Sequence, residues 1–152
     1  MRTARMMPPA SGFARLPPSV SCALHELFGS AAAQVELVER SWRVRWHRRA
    51  IATTRPNRIY LRGTIEEFAR DPALVLHEYF HVVHQWGPGR LTRWRYLFEW
   101  LKRGYFHNRF EVEARDFEAE NQRRFRLMLA RAAERMPSPE PAQVGTGSAQ
   151  PG

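Results

Sequence analysis

Between residues 72 and 86 the chain is apolar on nearly every side of a helix. Leu74, Val75, Leu76, Tyr79, Phe80, Val82, Val83 and Trp86 recur there, which predicts a buried helix. Asp71 before Pro72 is a start signal, a carboxylate for free N–H groups and a ring whose φ is already helical. Gly87-Pro88-Gly89 closes the segment at about Trp86. A second helix is expected over about 92–103, with Trp94, Leu97, Phe98 and Leu101 at helical spacing and Gly104 beyond it. Asn108 then opens a long helix through Phe117 and Phe125 to about Arg135.

The earlier part of the chain has a different rhythm. Ser19 to Phe28 predicts a short helix, since Cys22, Leu24, His25 and Phe28 can share a side and Gly29 stops it. Trp42 to His47 alternates apolar with polar, the period of a half-buried strand. Arg55-Pro56-Asn57 is a turn signal, and Ile59-Tyr60-Leu61 follows as another strand. A small antiparallel sheet is therefore expected over residues 35–62. The fold class is α+β: that sheet, then the buried helix, then two further helices. Residues 1–18 read as a loose leader, 19–136 as one domain, and 137–152 as a disordered tail with little apolar content to bury.

The length of 152 residues suits one domain with a real core. A single cysteine, Cys22, excludes an internal disulfide framework. No apolar run approaches the roughly 20 residues of a membrane-spanning helix, and no membrane partner is expected. The N-terminus lacks the apolar stretch of a secretory signal, so a cytoplasmic chain is expected, with non-classical export left open. The net charge of +9 is carried almost wholly by arginine; Lys102 is the only lysine. Residues 40–62 hold eight arginines and no acid, with Trp42 and Trp46 among them. That pattern suits phosphate contact and base stacking, so a nucleic-acid partner is one expectation for this segment.

The chemistry lies in the buried helix. His77-Glu78-Tyr79-Phe80-His81 is an H-E-x-x-H motif. Residues four apart share a helix face, so both imidazoles can point at one ion, and neutral imidazole is a good zinc ligand. Glu78 reaches the same place from the side, where a carboxylate can take a proton from a water activated at the metal. By composition alone such a motif arises with a chance of roughly 0.02. A buried helix must also satisfy its polar groups, which a metal would do. The third ligand has to come from elsewhere, because position 84 is His and position 87 is Gly, the reverse of the extended metzincin pattern. Glu111 and Glu113, near the start of the last helix, are the candidates. Glu111 alternatively completes a capping box with Asn108, and Glu113 is alternatively a solvated charge. His84, Tyr105 and His107 are further candidates near the site; the plainer alternative is a partly exposed helix-end residue for His84 and loop residues packed by their rings for Tyr105 and His107.

His77 to Gln85, the strand Asn57-Arg58-Ile59-Tyr60-Leu61 and the later Glu111-Val112-Glu113-Ala114 together resemble minimal glutamate-type zincin metallopeptidases. The nearest group is the metallopeptidase domain associated with bacterial extracellular contractile injection systems. The resemblance spans about residues 50–120. It implies that His77, His81 and Glu111 bind Zn2+, that Glu78 is the general base, and that the strand near Ile59 to Leu61 takes a peptide by strand addition. Position 84 is His where the family usually has Gln. Position 115 is Arg where the family often has an Asp that orients a ligating histidine, a task left to Asp116 or Glu118. The expected function is thus a zinc-dependent metallopeptidase acting on a peptide or protein. The alternatives are a basic nucleic-acid-binding module and a metal-binding scaffold without catalysis.

Overall fold

The computed structural model describes residues 16–42, 44 and 52–136. Helix α1, Pro18–Phe28, opens on Pro17 and Pro18, and Leu16 before it is already buried in the core. A 3-10 segment, Gly29–Gln34, leads into strand β1, Glu36–Val38. Strands β2, Ala52–Arg55, and β3, Arg58–Leu61, form a hairpin. Its turn is Pro56-Asn57: the proline presets one φ, and asparagine tolerates the left-handed φ of 56° that the second position needs.

The sheet is mixed rather than antiparallel. Its order is β1-β3-β2, with Leu37 beside Ile59 in a parallel pair and Thr54 beside Ile59 in an antiparallel one. This corrects two expectations. Strand β1 returns to the sheet from the far side of a long connection, which local alternation cannot reveal. Ile59–Leu61 is the central strand, flanked on both sides, so no peptide can add to it; among the described residues the edges are β1 and β2. In the connection Val44 is buried and Trp42 is 63% exposed, so that tryptophan lies outside the core. Residues 43 and 45–51, which carry most of the expected strand Trp42–His47 and much of the arginine-rich segment, lie outside the described residues, as do 1–15 and 137–152.

After the sheet comes a helix the pattern did not predict, α2, Ile65–Ala69. It starts with a capping box: Thr64 Oγ1 accepts from Glu67 N, and Glu67 Oε2 accepts from Thr64 N. Helix α3, Pro72–Phe80, follows, with Asp71 Oδ1 accepting from Ala73 N and Leu74 N as its start signal requires. It continues not as α-helix but as a π-helical turn, His81–Trp86. Gly87 N donates to Val82 O, five residues back. Gly87 is needed where it stands, because a Cβ there would sit 2.9 Å from Val83 O. Helix α4, Arg93–Arg103, is capped by Thr92 and ends at Gly104, whose φ is 71°. Helix α5, Arg109–Glu134, is capped by Asn108.

The core lies where α1, α3 and α5 meet one face of the sheet. Leu24, Ile59, Leu61, Leu76, Tyr79 and Phe125 are all within 1% of complete burial. At the edge of this core Phe80 stacks on Phe117 at 4.7 Å between ring centres, and Phe28 packs beside both Tyr79 and Phe117. The packing holds α3 and α5 side by side, which brings the motif helix against the first turns of the last helix. Among the described residues no helix is long and apolar enough to cross a membrane.

Candidate metal centre

Helix α3 ends with His77 and His81 one turn apart, and α5 begins by presenting Glu111 to both. His77 Nε2 and His81 Nε2 stand 3.1 Å apart. Glu111 Oε2 is 3.4 Å from the first and 3.7 Å from the second. Ligand bonds of about 2.0–2.1 Å at tetrahedral angles set donor atoms about 3.3 Å apart. The three observed separations bracket that value, so one ion fits among these atoms without moving the backbone. Glu111 Oε2 is also buried with no hydrogen-bond donor, a costly state that a cation relieves. The group could hold a metal ion.

Glu113 is turned elsewhere. Both its oxygens face Arg90 Nη2 at 3.1 Å, so it serves an ion pair. The capping-box alternative for Glu111 also falls, because Asn108 caps α5 through Phe110 N while the Glu111 side chain faces the histidines.

Each donor is oriented by a neighbour. The His81 ring nitrogen away from the centre, Nδ1, lies 2.7 Å from Gln85 Oε1. Gln85 is fully buried, and its amide donates to Phe110 O at 2.9 Å, so this side chain ties the motif helix to the start of α5. The π turn carries Gln85 in this position, and π turns recur at functional sites. His77 Nδ1 lies 3.5 Å from Glu118 Oε2, so Glu118 is the acid facing this ring, while Arg115 donates to Phe106 O. Asp116 is exposed. Tyr96 of α4 donates its hydroxyl to Glu111 Oε1 at 2.9 Å and leaves Oε2 for an ion. Replacing Gln85 by leucine should weaken binding of a metal ion at this group by about ten- to a hundredfold, since such outer partners fix ring orientation and tautomer. Competition with a chromophoric chelator measures this, and unchanged affinity would show that Gln85 only packs.

Burial pushes the Glu78 carboxyl above its ordinary range, partly opposed by the nearby His81 and His77. A buried carboxylate beside the donor cluster is placed to exchange a proton. For His81, burial disfavours the charged ring, but the negative charge of the neighbouring Glu111 and Glu78 outweighs it and raises its pKa. Burial alone would raise Glu111, yet the two imidazoles hold it well below the usual carboxylate range. The metal-free cluster thus grips a proton on His81 more tightly than a free imidazole does. Ligating nitrogen must shed that proton. Metal affinity should therefore be full at alkaline pH and begin to fall above the ordinary histidine pKa as the medium is acidified. Zinc titrations across pH measure this, and a constant affinity from weakly alkaline to weakly acidic pH would contradict it.

Tyr105 is half-exposed after α4. Burial first, then the charge of Glu111, pushes its phenol up to about 12, so it remains a donor at neutral pH. His84 packs among the rings of Phe28, Phe80 and Phe117, and burial lowers its pKa. It is an exposed residue near the end of the motif helix, as expected, with one side of its ring against those aromatics. His107 is exposed and outside the donor group.

Gln85, Tyr96 and Glu118 were missed or left unranked by sequence reasoning. Two of them had a signal: Gln85 lies four residues after His81, and Glu118 lies seven after Glu111, on the same helix face. Comparison of the chain with family models, with curated proteins and with solved structures finds no match. Motif and geometry alone therefore carry the functional argument.

Proposed function

We propose that the chain is a zinc-dependent metallopeptidase of the zincin type, with His77, His81 and Glu111 as metal ligands and Glu78 as general base. The observation that supports it most is the tetrahedral spacing of the three donor atoms, with a second carboxylate, Glu78, buried beside them. Two imidazoles and one carboxylate are a known catalytic zinc set, with a position left over. A zinc ion held there would polarise a peptide carbonyl and acidify water.

The chain's own residues supply the rest. Glu78 accepts a proton from the attacking water as the new C–O bond forms. It then delivers that proton to the leaving nitrogen as the C–N bond breaks, so the hydrolysis balances with no other reactant. Tyr105 keeps its phenolic proton and can donate to the oxygen that gains charge. Tyr96 is already committed to Glu111. An extended substrate would pair with β2, the edge strand beside the motif helix: Trp86 Nε1 donates to Thr54 Oγ1 there at 3.1 Å.

The test is hydrolysis of an unstructured protein substrate such as casein. Activity is expected with zinc, loss after a chelator, and return on adding zinc back. Hydrolysis that survives chelation, or a zinc-loaded chain that cleaves nothing in a broad peptide library, would contradict the proposal. The second result would favour a metal-binding scaffold.

A further inference from the structure

Helix α4 is turned inside out relative to an ordinary surface helix. None of its residues is buried. Its large apolar side chains point away from the protein: Trp94 is 79% exposed, Phe98 64% and Leu101 70%. Positions 94, 97, 98 and 101 share one side of the helix at helical spacing. The opposite side carries Tyr96, bonded to Glu111, and Glu99, paired with Arg103 at 3.4 Å. Phe106, just beyond the helix, is also exposed. Between this face and the first residues of α5 lies an open groove of about 750 Å3, walled by the apolar stripe of α4 together with Arg95, Glu99, Arg109 and Phe110. Single exposed apolar residues are ordinary, but a contiguous aromatic and aliphatic face marks an interaction site.

The charges around the face say what covers it. Arg93, Arg95 and Lys102 flank the apolar stripe, and Arg109 lies over the Phe110 ring at 4.9 Å at the groove wall. The one acid of the helix, Glu99, faces inward with its side chain 16% exposed. The surface is thus an apolar stripe rimmed with cations. Two copies of the chain meeting through it would set arginines and lysine against their like. An anionic lipid surface has the complementary character: acyl chains for tryptophan, phenylalanine and leucine, and phosphate and carboxylate headgroups for the flanking cations. Long basic side chains on the flanks reach headgroups while their stems lie along apolar ground.

We infer that α4 is an interfacial helix that docks this protein on anionic membrane surfaces, with Trp94, Leu97, Phe98 and Leu101 seated at the headgroup boundary and Arg93, Arg95 and Lys102 on the headgroups. The expectation of no membrane partner is set by spanning segments, which alone leave a long apolar run; an interfacial helix leaves a short one divided by charges. The inference does not depend on catalysis. It has a geometric consequence for the metal centre all the same: the helix that meets lipid on one side holds Glu111 through Tyr96 on the other.

The full chain is mixed with vesicles of phosphatidylcholine alone, or of phosphatidylcholine with phosphatidylserine, and sedimented. Binding to the serine-lipid vesicles is expected to be at least about tenfold tighter, and to weaken as salt rises. The double variant Leu97→Glu with Leu101→Glu should lose about tenfold or more of that binding. Both positions are exposed, so its melting temperature should match that of the parent chain and separate lost docking from lost folding. Arg93→Ser with Lys102→Ser should remove most of the preference for anionic vesicles. A chain that stays in solution with both vesicle types, or a glutamate variant that sediments like the parent, overturns the inference. So does self-association abolished by the glutamate substitutions without any vesicle binding, which would assign the face to a second copy.

Discussion

Replacing Glu78 by glutamine is expected to cut peptide hydrolysis by between about a hundred- and ten-thousandfold while the metal stays bound, the range that general-base catalysis contributes. The substitution is nearly isosteric. It removes the proton acceptor without removing a ligand. The Glu78 carboxyl is buried, and burial already disfavours its charge, so a neutral amide there should not weaken the fold. Stability and zinc content thus serve as internal controls, and hydrolysis of an unstructured substrate is the readout. A variant with full activity would remove Glu78 from the mechanism.

The second large effect concerns the third ligand. Glu111→Gln should weaken zinc binding by on the order of a hundredfold or more, because it removes a donor rather than an outer partner. Glu113→Gln should leave zinc affinity nearly unchanged. One residue separates these positions on one helix, yet one carboxylate faces the imidazoles at 3.4 and 3.7 Å and the other faces Arg90. The contrast between the variants therefore tests the geometry itself. A chelator-competition titration measures both, and equal losses would show that the start of α5 is placed otherwise.

How much of this was legible in advance depended on whether the signal is local. Asp71-Pro72 and Gly87 bracketed the motif helix, Thr92 and Gly104 bracket α4, and Asn108 opens α5; each end is set by backbone groups within one turn. The H-E-x-x-H spacing placed two donors on one helix face for the same reason. The sheet was not legible to the same degree. Whether β1 runs parallel to β3 depends on a connection of many residues, and a strand of three residues has no pattern that names its partner. The short helix Ile65–Ala69 was announced by Thr64 and Glu67 and was passed over because five residues hold too little periodicity. The π turn had no distinct signal, although its consequence, Gln85 beside His81, follows helical spacing. Tyr96 could not be read at all. It lies on the side of α4 away from Trp94, Leu97, Phe98 and Leu101, and only the packing of that helix brings its hydroxyl to Glu111.

The account stands on one ion bound by His77, His81 and Glu111. Elemental analysis of the purified, zinc-reconstituted chain tests this most directly, run beside His77→Ala and His81→Ala. The prediction is about one zinc per chain in the parent and little or none in either variant, as for an ion held by only three protein ligands. No zinc in the parent, or zinc retained by both variants, would contradict it and return the arginine-rich segment 40–62 to first place as the route to function.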